Sequence, residues 1–294
     1  MEQEYWRWPE SSWISGEIDW KNVGEITAGV DAGTTSTQAA ILCNGNLFGY
    51  ASIHTGANFE KAAKTAIAMA MNGSGMKLSD ITGIGGTGFG RKNITFASKA
   101  LDEVHCHAKG AKFIYGPDVR TVVDMGGQTI KAIRLFEWDR VRDFMLNDKC
   151  ATGEGRNLEA LCDLLHIGIT EIGPKSLEVN NDPEPVSTTC WAFAATETLG
   201  LFGRPEFKNE KLSEAEIYAS HLFAITWRIL GVVGRLSPLD VGEIQLDGVL
   251  ALTGGLAKNI GITSRIEREL GVKAAVGEYD PMLAGAIGAA MLAV

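Results

Sequence analysis

Two short stretches carry an aspartate, then glycine, then hydroxyl or amide side chains: Asp31-Ala32-Gly33-Thr34-Thr35 and Asp124-Met125-Gly126-Gly127-Gln128. Glycines let backbone N–H groups turn inward around an anion, threonine hydroxyls add donors, and a strand-end carboxylate can hold Mg²⁺ directly or through water. Either stretch alone is a common hairpin turn. Two of them facing each other would clamp a polyphosphate from both sides. A third stretch, Thr253-Gly254-Gly255, stands where the apolar strand Val249 to Leu252 gives way to a helix running through Leu270. Glycines at such a junction let a flat ring or a phosphate approach the backbone.

These stretches occupy matching places in a repeated plan. From residue 25 the chain reads as an apolar run, a Gly/Thr turn, a second run, then Asn44-Gly45 and a third run; Asn-Gly between alternating runs signals a hairpin. A helical period follows over Phe59 to Met71, then a strand-like run at residues 81–88. The same strand, Gly-Gly turn, strand, polar break, strand order returns in residues 120–146. Two copies of one plan predict a duplicated α/β architecture. Residues 280–294 end the chain in a small-faced helix with Gly285, Gly288 and Ala289, suited to tight packing near a hinge. Residues 1–25 carry four of the seven tryptophans (Trp6, Trp8, Trp13, Trp20) without a helix or strand period. They read as an extended arm, either a strap over its own domain or a docking arm.

The 294 residues, 45% hydrophobic, suffice for two moderate domains. A net charge of -9 argues against nucleic acid, which demands a concentrated Lys/Arg surface. No run of about 18 apolar residues suggests a membrane span, and the first ten residues lack the apolar core of a signal peptide. The expected location is cytoplasmic. Five cysteines, an odd count, suit a reducing compartment in which thiols are free or ligate metal. Cys43 falls in a strand and Cys162 among helical leucines, both read as small apolar side chains. The His105-Cys106-His107 triplet converges poorly on a metal. Gly83 to Gly88 satisfies G-x-G-x-x-G, yet it follows a polar segment and runs into "FGRKNI" rather than a helix, so the dinucleotide reading is weak.

Together these residues resemble the acetate and sugar kinase, Hsc70 and actin superfamily of ATPases. Asp31 to Gln38 is similar to its first phosphate motif, Val122 to Lys131 to its second, and Leu252 to Gly261 to its adenosine motif. Within it, "DMGGQTIKAI", "NDKCATGEGRNLE", "STTCWAFAATE" and "GAIGAA" resemble the BadF/BadG/BcrA/BcrD-type ATPases: activators of 2-hydroxyacyl-CoA dehydratases and ATPase subunits of benzoyl-CoA reductase. The resemblance implies a duplicated actin-like (ribonuclease H-like) fold with a nucleotide cleft between two domains. Residues 26–118 with the helix at 280–294 would form the first, and 119–279 the second, carrying cluster cysteines and adenosine motif.

It further implies that each subunit of a homodimer or pseudo-symmetric heterodimer gives two cysteines, Cys150 and Cys190, to one [4Fe–4S] cluster. Both stand ahead of apolar-periodic helices, where orphan N–H groups and the helix dipole favour thiolate and cluster charge. No compact cysteine array offers one chain a cluster of its own. Asp31 and Asp124 would position Mg²⁺; Gly33, Thr34, Thr35, Gly126 and Gly127 would cradle phosphates of ATP or ADP. Gln128 would orient the attacking water, and Gly254, Gly255, Lys258 and Asn259 would lie near adenosine. Lys131 reads as a solvated strand end, and Arg91 as a possible nucleotide or domain contact. Glu154 and Trp191 depart from the family pattern.

The implied function is ATP-driven passage of low-potential electrons from a ferredoxin-like donor to catalytic acyl-CoA reductase subunits. Chain length and the "EYWRWPE" arm point to the smaller ATPase subunit of an ATP-dependent benzoyl-CoA reductase. The alternatives are a dehydratase activator and, in another class, a sugar or acetate kinase without a cluster.

Overall fold

The structure is a computed structural model that describes residues 4–136, 140–148, 152–203, 212–236, 244 and 246–294. In chain order the first half holds β1 (Ser11–Ile14), β2 (Ile26–Ala32), β3 (Ser36–Cys43), β4 (Asn46–His54), α1 (Phe59–Met71), β5 (Gly83–Thr87), β6 (Lys99–Ala100) and α2 (Glu103–Tyr115). β2 is buried at every position, as a strand covered on both faces must be. Its continuation into β3 and β4 is antiparallel. Asn44 and Gly45 take φ of 48° and 78°, the left-handed pair that a tight two-residue hairpin turn demands. β5 returns parallel to β2, giving a six-stranded sheet in the order β1-β4-β3-β2-β5-β6. Its edge strand, β1, lies inside the tryptophan-rich segment, where the sequence offers no strand period; pairing with β4 supplies what local pattern does not.

The second half repeats the plan with β7 (Val119–Met125), β8 (Ile130–Leu135) and β9 (Val141–Leu146), antiparallel in succession. After α3 (Glu154–Leu164), α4 (Ile169–Lys175), α5 (Trp191–Gly203) and α6 (Glu214–Gly234), strand β10 (Val249–Thr253) joins β7 in parallel. α7 (Ile260–Leu270) and α8 (Ala284–Met291) follow. The second sheet has the order β10-β7-β8-β9. The G-x-G-x-x-G stretch is β5 itself with its exit turn, and a short 3₁₀ turn, not an α-helix, follows it.

Apolar periodicity decides the layers. The alanine face of α1 (Ala62, Ala63, Ala66) covers one side of the first sheet against Val30, Ile41 and Phe48. On its other side lies α8, through Ala286, Ile287 and Ala290 against Ala40 and Leu42. α2 rests on the second sheet, Ala108 and Ala111 against Val122, Ile133 and Ala251. The α2–α8 pair therefore separates the two sheets. The helices meet closely: a Cβ on Gly110 would fall 1.8 Å from the Ala284 carbonyl oxygen, so only glycine fits. The far face of the second sheet holds the largest core, where Val123, Met125 and Ile130 meet Leu158, Ile172, Leu222 and Ile262 from α3, α4, α6 and α7. α6 is long and apolar enough to cross a membrane, but 78% of its most apolar window is buried in the fold, the burial of a core helix.

Candidate functional site

The first two sequence-marked aspartates end β2 and β7, and the α2 helix between the sheets presents His107 and Glu103 to both. His107 Nε2 stands 3.7 Å from Asp31 Oδ2, and His107 Nδ1 stands 3.3 Å from Asp124 Oδ1. Lys131 of β8 places Nζ 2.8 Å from Asp124 Oδ2, 2.8 Å from Glu103 Oε2 and 2.9 Å from Thr129 Oγ1. Thr253 Oγ1 donates to Asp124 Oδ1 at 3.2 Å. Asp31 is wedged between glycines; a Cβ on Gly88 would fall 2.3 Å from its Oδ1 and one on Gly285 2.0 Å from its Oδ2.

The two carboxylates differ in charge state. Burial, then the negative charges of Glu103 and Asp124, push Asp31 up to about 7, with Lys131 opposing. Burial also works against an ionised Asp124. There the charges of His107 and Lys131, with hydrogen bonds from Lys131 and Thr253, outweigh it and hold the carboxyl below its usual range. Lys131 is raised despite its own burial by Asp124 and Glu103. Burial pushes His107 down, with Lys131 adding to it, against the pull of Asp124 and Glu103.

The two glycine loops face each other across one cleft. A Cβ on Gly127 would sit 2.6 Å from Thr35 Oγ1 and 3.0 Å from Thr34 Oγ1. Thr55 shapes the first loop, its Oγ1 donating to the Gly33 carbonyl at 2.7 Å and its N–H to the Thr35 carbonyl at 3.0 Å. Thr34 Oγ1 is buried without a hydrogen-bond partner among the described residues, a donor left over for an anion. Gly33, Gly126 and Gln128 line the same cleft, as do Gly254 and Gly255. Gly254, at φ 84°, abuts the second carboxylate: a Cβ there would be 2.9 Å from Asp124 Oδ1. Lys258 and Asn259, which follow in the same turn, are not among the residues lining the cleft. Lys258 Nζ pairs with Asp280 Oδ2 at 2.5 Å, and Asn259 caps α7 through Oδ1 while its buried Nδ2 has no partner among the described residues.

The second loop is tied to the segment that follows Cys150. Gly153 N–H donates to the Gln128 carbonyl at 2.7 Å and Arg156 N–H to the Gly127 carbonyl at 3.1 Å. α3 starts at Glu154, and Gly153 ahead of it takes a left-handed φ of 86° and reaches Gln128. Cys150 lies outside the described residues. Glu154, 1% exposed, forms a two-pronged pair with Arg228 of α6, Nε to Oε1 at 2.7 Å and Nη2 to Oε2 at 2.9 Å. The same guanidinium donates from Nη1 to the Ser187 carbonyl at 2.9 Å, just ahead of Cys190. Cys190 directly precedes α5, whose Ala194 N–H donates to its carbonyl at 3.2 Å. It is a half-buried free thiol, whereas Cys43, Cys106 and Cys162 are buried. Trp191 turns its ring edge-on against His221. Among the described residues no group of three or more His, Cys, Asp or Glu side chains is arranged to hold a metal ion.

Three residues of the cleft escape the sequence reading. Lys131 is no solvated strand end: it is 4% exposed and pairs with two carboxylates. The signal lay in register, since Lys131 is directly opposite Asp124 in the β7–β8 hairpin. His107 and Glu103 lie four residues apart on α2 and share a helix face. The His105-Cys106-His107 triplet splits as adjacent helix positions must: the His105 ring meets the helix-capping Asp102 at 2.8 Å while His107 turns into the cleft. Arg91 Nη1 donates to the Gly88 carbonyl at 3.0 Å and stands 3.5 Å from Glu103, at the rim of the carboxylate cluster.

Known proteins share this architecture. The chain is 33% identical over 267 residues to the activator of lactoyl-CoA dehydratase of Anaerotignum propionicum, covering 91% of this chain and 96% of that protein. One of the benzoyl-CoA reductase subunits of Thauera aromatica is 30% identical over 275 residues, 90% of this chain and 92% of the relative. Among solved structures, the activator of the 2-hydroxyisocaproyl-CoA dehydratase from Clostridium difficile with bound ADPNP superposes with a TM-score of 0.78 at 30% identity, covering 91% of this chain and 94% of the other. The two-sheet arrangement is thus the actin-like ATPase fold. Residues 28–293 match one family throughout, and the chain belongs to the BadF/BadG/BcrA/BcrD ATPase family.

Proposed function

We propose that this chain is the ATP-hydrolysing activator of a 2-hydroxyacyl-CoA dehydratase-type system, binding Mg–ATP between the facing loops. One observation carries the reading: paired glycine loops close on two unlike carboxylates in a chain similar throughout to dehydratase activators. Of the two acyl-CoA readings raised by the sequence, this one is better supported than benzoyl-CoA reductase, which contributes the less similar relative. Thr34, with its unpartnered hydroxyl, and the Gly33, Thr35, Gly126 and Gly127 backbone suit phosphate oxygens. Asp31 is the carboxylate open to Mg²⁺ or its water shell, because Asp124 is already engaged by Lys131 and Thr253. Gln128 orients the attacking water, and Gly254, Gly255, Lys258 and Asn259 border the adenosine.

A [4Fe–4S] cluster shared with a second copy or a homologous subunit supplies one-electron transfer at low potential. Cys150 and Cys190 would hold it. The fit rests on Cys190, a half-buried free thiol directly ahead of α5, where the unpaired N–H groups of a helix start face a bound anion favourably. The Gly153 hydrogen bond ties Gln128 to the residues that follow Cys150, and Glu154, Arg228 and Ser187 tie these to the residues just ahead of Cys190, so a movement of the loop would reach both. Nucleotide drives that movement only as far as it binds the two conformations differently. A ferredoxin-like donor and catalytic acyl-CoA subunits are the partners this chemistry requires.

Anaerobic purification followed by iron and sulfide analysis tests the reading. About four irons per pair of chains are expected, with loss of iron in Cys190→Ser and retention of ATP hydrolysis. An iron-free, colourless anaerobic preparation that still hydrolyses ATP would leave a kinase or a nucleotide switch instead.

A further inference from the structure

The segment ahead of β2 runs back over the cleft, and all of it precedes residue 28, where the family match begins. It grips both walls. On the first half, Glu10 Oε1 accepts the His54 backbone N–H at 2.8 Å, and the His54 ring meets the Trp8 carbonyl at 3.0 Å. On the second half, the Ile169 N–H donates to the Tyr5 carbonyl at 2.9 Å, and Arg7 Nε stands 3.8 Å from Glu159. Between these anchors the Trp8 side chain lines the cleft.

Its surroundings identify what it faces. A Cβ on Gly255 would meet Trp8 Cδ1 and Nε1 at 3.6 Å, so the indole lies in van der Waals reach of the turn after β10. Lys258 Nζ stands 5.2 Å from the ring centroid, an arrangement that fixes the ring's orientation. Leu158, Ile169 and Leu256 line the same cleft and belong to the apolar cluster on which Trp8 packs. Apart from Phe89 and Met282, the remaining lining is hydroxyls, glycines, amides, imidazoles, carboxylates and Lys131. A polyphosphate belongs with the polar part, which leaves the apolar wall to a flat ring. The neighbouring glycine, Gly254, is already against Asp124, so Gly255 and Trp8 follow in sequence from the phosphate end.

We propose that Trp8 is a nucleobase-contacting residue, carried by the strap onto the base side of the cleft, where its indole packs against the adenine ring. This rests on the nucleotide reading above and deepens it. An aromatic platform favours any base by its π-face, and the apolar wall excludes water from the contact.

The test compares equilibrium binding of Mg–ADP and of Mg–tripolyphosphate, which has no base, to the wild type, W8A and W8F, each checked for folding by circular dichroism and thermal melting. W8A is expected to bind ADP about tenfold more weakly, the scale of one aromatic–base stack. W8F should keep most of the affinity, and all three should bind tripolyphosphate equally. Equal losses for both ligands in W8A would show that Trp8 only fastens the strap, and unchanged or tighter ADP binding would show that no base rests there; either result overturns the proposal. A wild type that binds neither ligand removes the nucleotide reading itself, a failure visible before any variant is made.

Discussion

The two halves of the molecule bring the same short motif to the same cleft and treat it in opposite ways. Asp31 and Asp124 each end a buried strand ahead of a glycine loop. Asp124 faces Lys131 across the hairpin and receives Thr253 besides. At the equivalent place opposite Asp31 stands Gln38, whose amide turns to Ser36 and Ser52. Among the described residues no ammonium or guanidinium lies within ion-pair distance of Asp31. One carboxylate is thus neutralised by the protein, and the other waits for a proton or a cation. Duplication gave two equal loops; a single cross-strand residue made them unequal.

Removing the lysine should break that contrast with the largest effect. Lys131→Met leaves the buried Asp124 without its cation, and loss of one partner from a buried pair costs about 3–5 kcal/mol. Thermal melting should fall accordingly, and Asp124→Asn in the same chain should restore most of the loss. Additive losses would mean that the two side chains do not stabilise each other.

The opposite sign is expected for the other carboxylate. Because Asp31 titrates near 7 in the fold, above the unfolded value of 3.8, its protonated form is the stable one. The stability it lends is complete below about pH 4 and is lost as pH rises through 7. Asp31→Asn should therefore leave ligand-free stability unchanged near pH 4 and raise it by up to about 4 kcal/mol at pH 8. Denaturant melts of the two proteins across that range measure the difference. Equal stability of both proteins at pH 8 would remove the idea of an uncompensated carboxylate.

What the sequence yields follows the range of the interactions. The β3–β4 hairpin and α1 were legible because their signals are local: Asn44-Gly45 takes a conformation few other pairs adopt, and the alanine period of α1 repeats on one face. So were the three glycine stretches that meet at one cleft, since each stands at the end of an apolar strand. Lys131 was misread because its burial depends on Glu103, contributed by another element. His107 was hidden in a triplet that draws the eye to metal chemistry. The edge strand β1 has no period of its own and exists by pairing with β4. Residues whose state is fixed by a distant partner are the ones that composition and spacing leave open.

The unequal treatment extends to the hydroxyls. Thr253 in the second half spends its proton on Asp124, and Thr253→Val should cost about 1–2 kcal/mol of ligand-free stability, the value of a hydrogen bond to a charged group. Thr34 in the first half has no hydrogen-bond partner among the described residues. Replacing it by valine removes a buried polar atom without breaking a bond, so Thr34→Val should leave the ligand-free melting temperature unchanged or slightly raised. The loss should surface only with ligand: Mg–ADP should raise the melting temperature of Thr34→Val less than that of the wild type, reflecting an affinity about tenfold lower. A variant destabilised without ligand, yet equally stabilised by it, would mean that the hydroxyl serves the fold, and the contrast between the two halves would stop at the carboxylates.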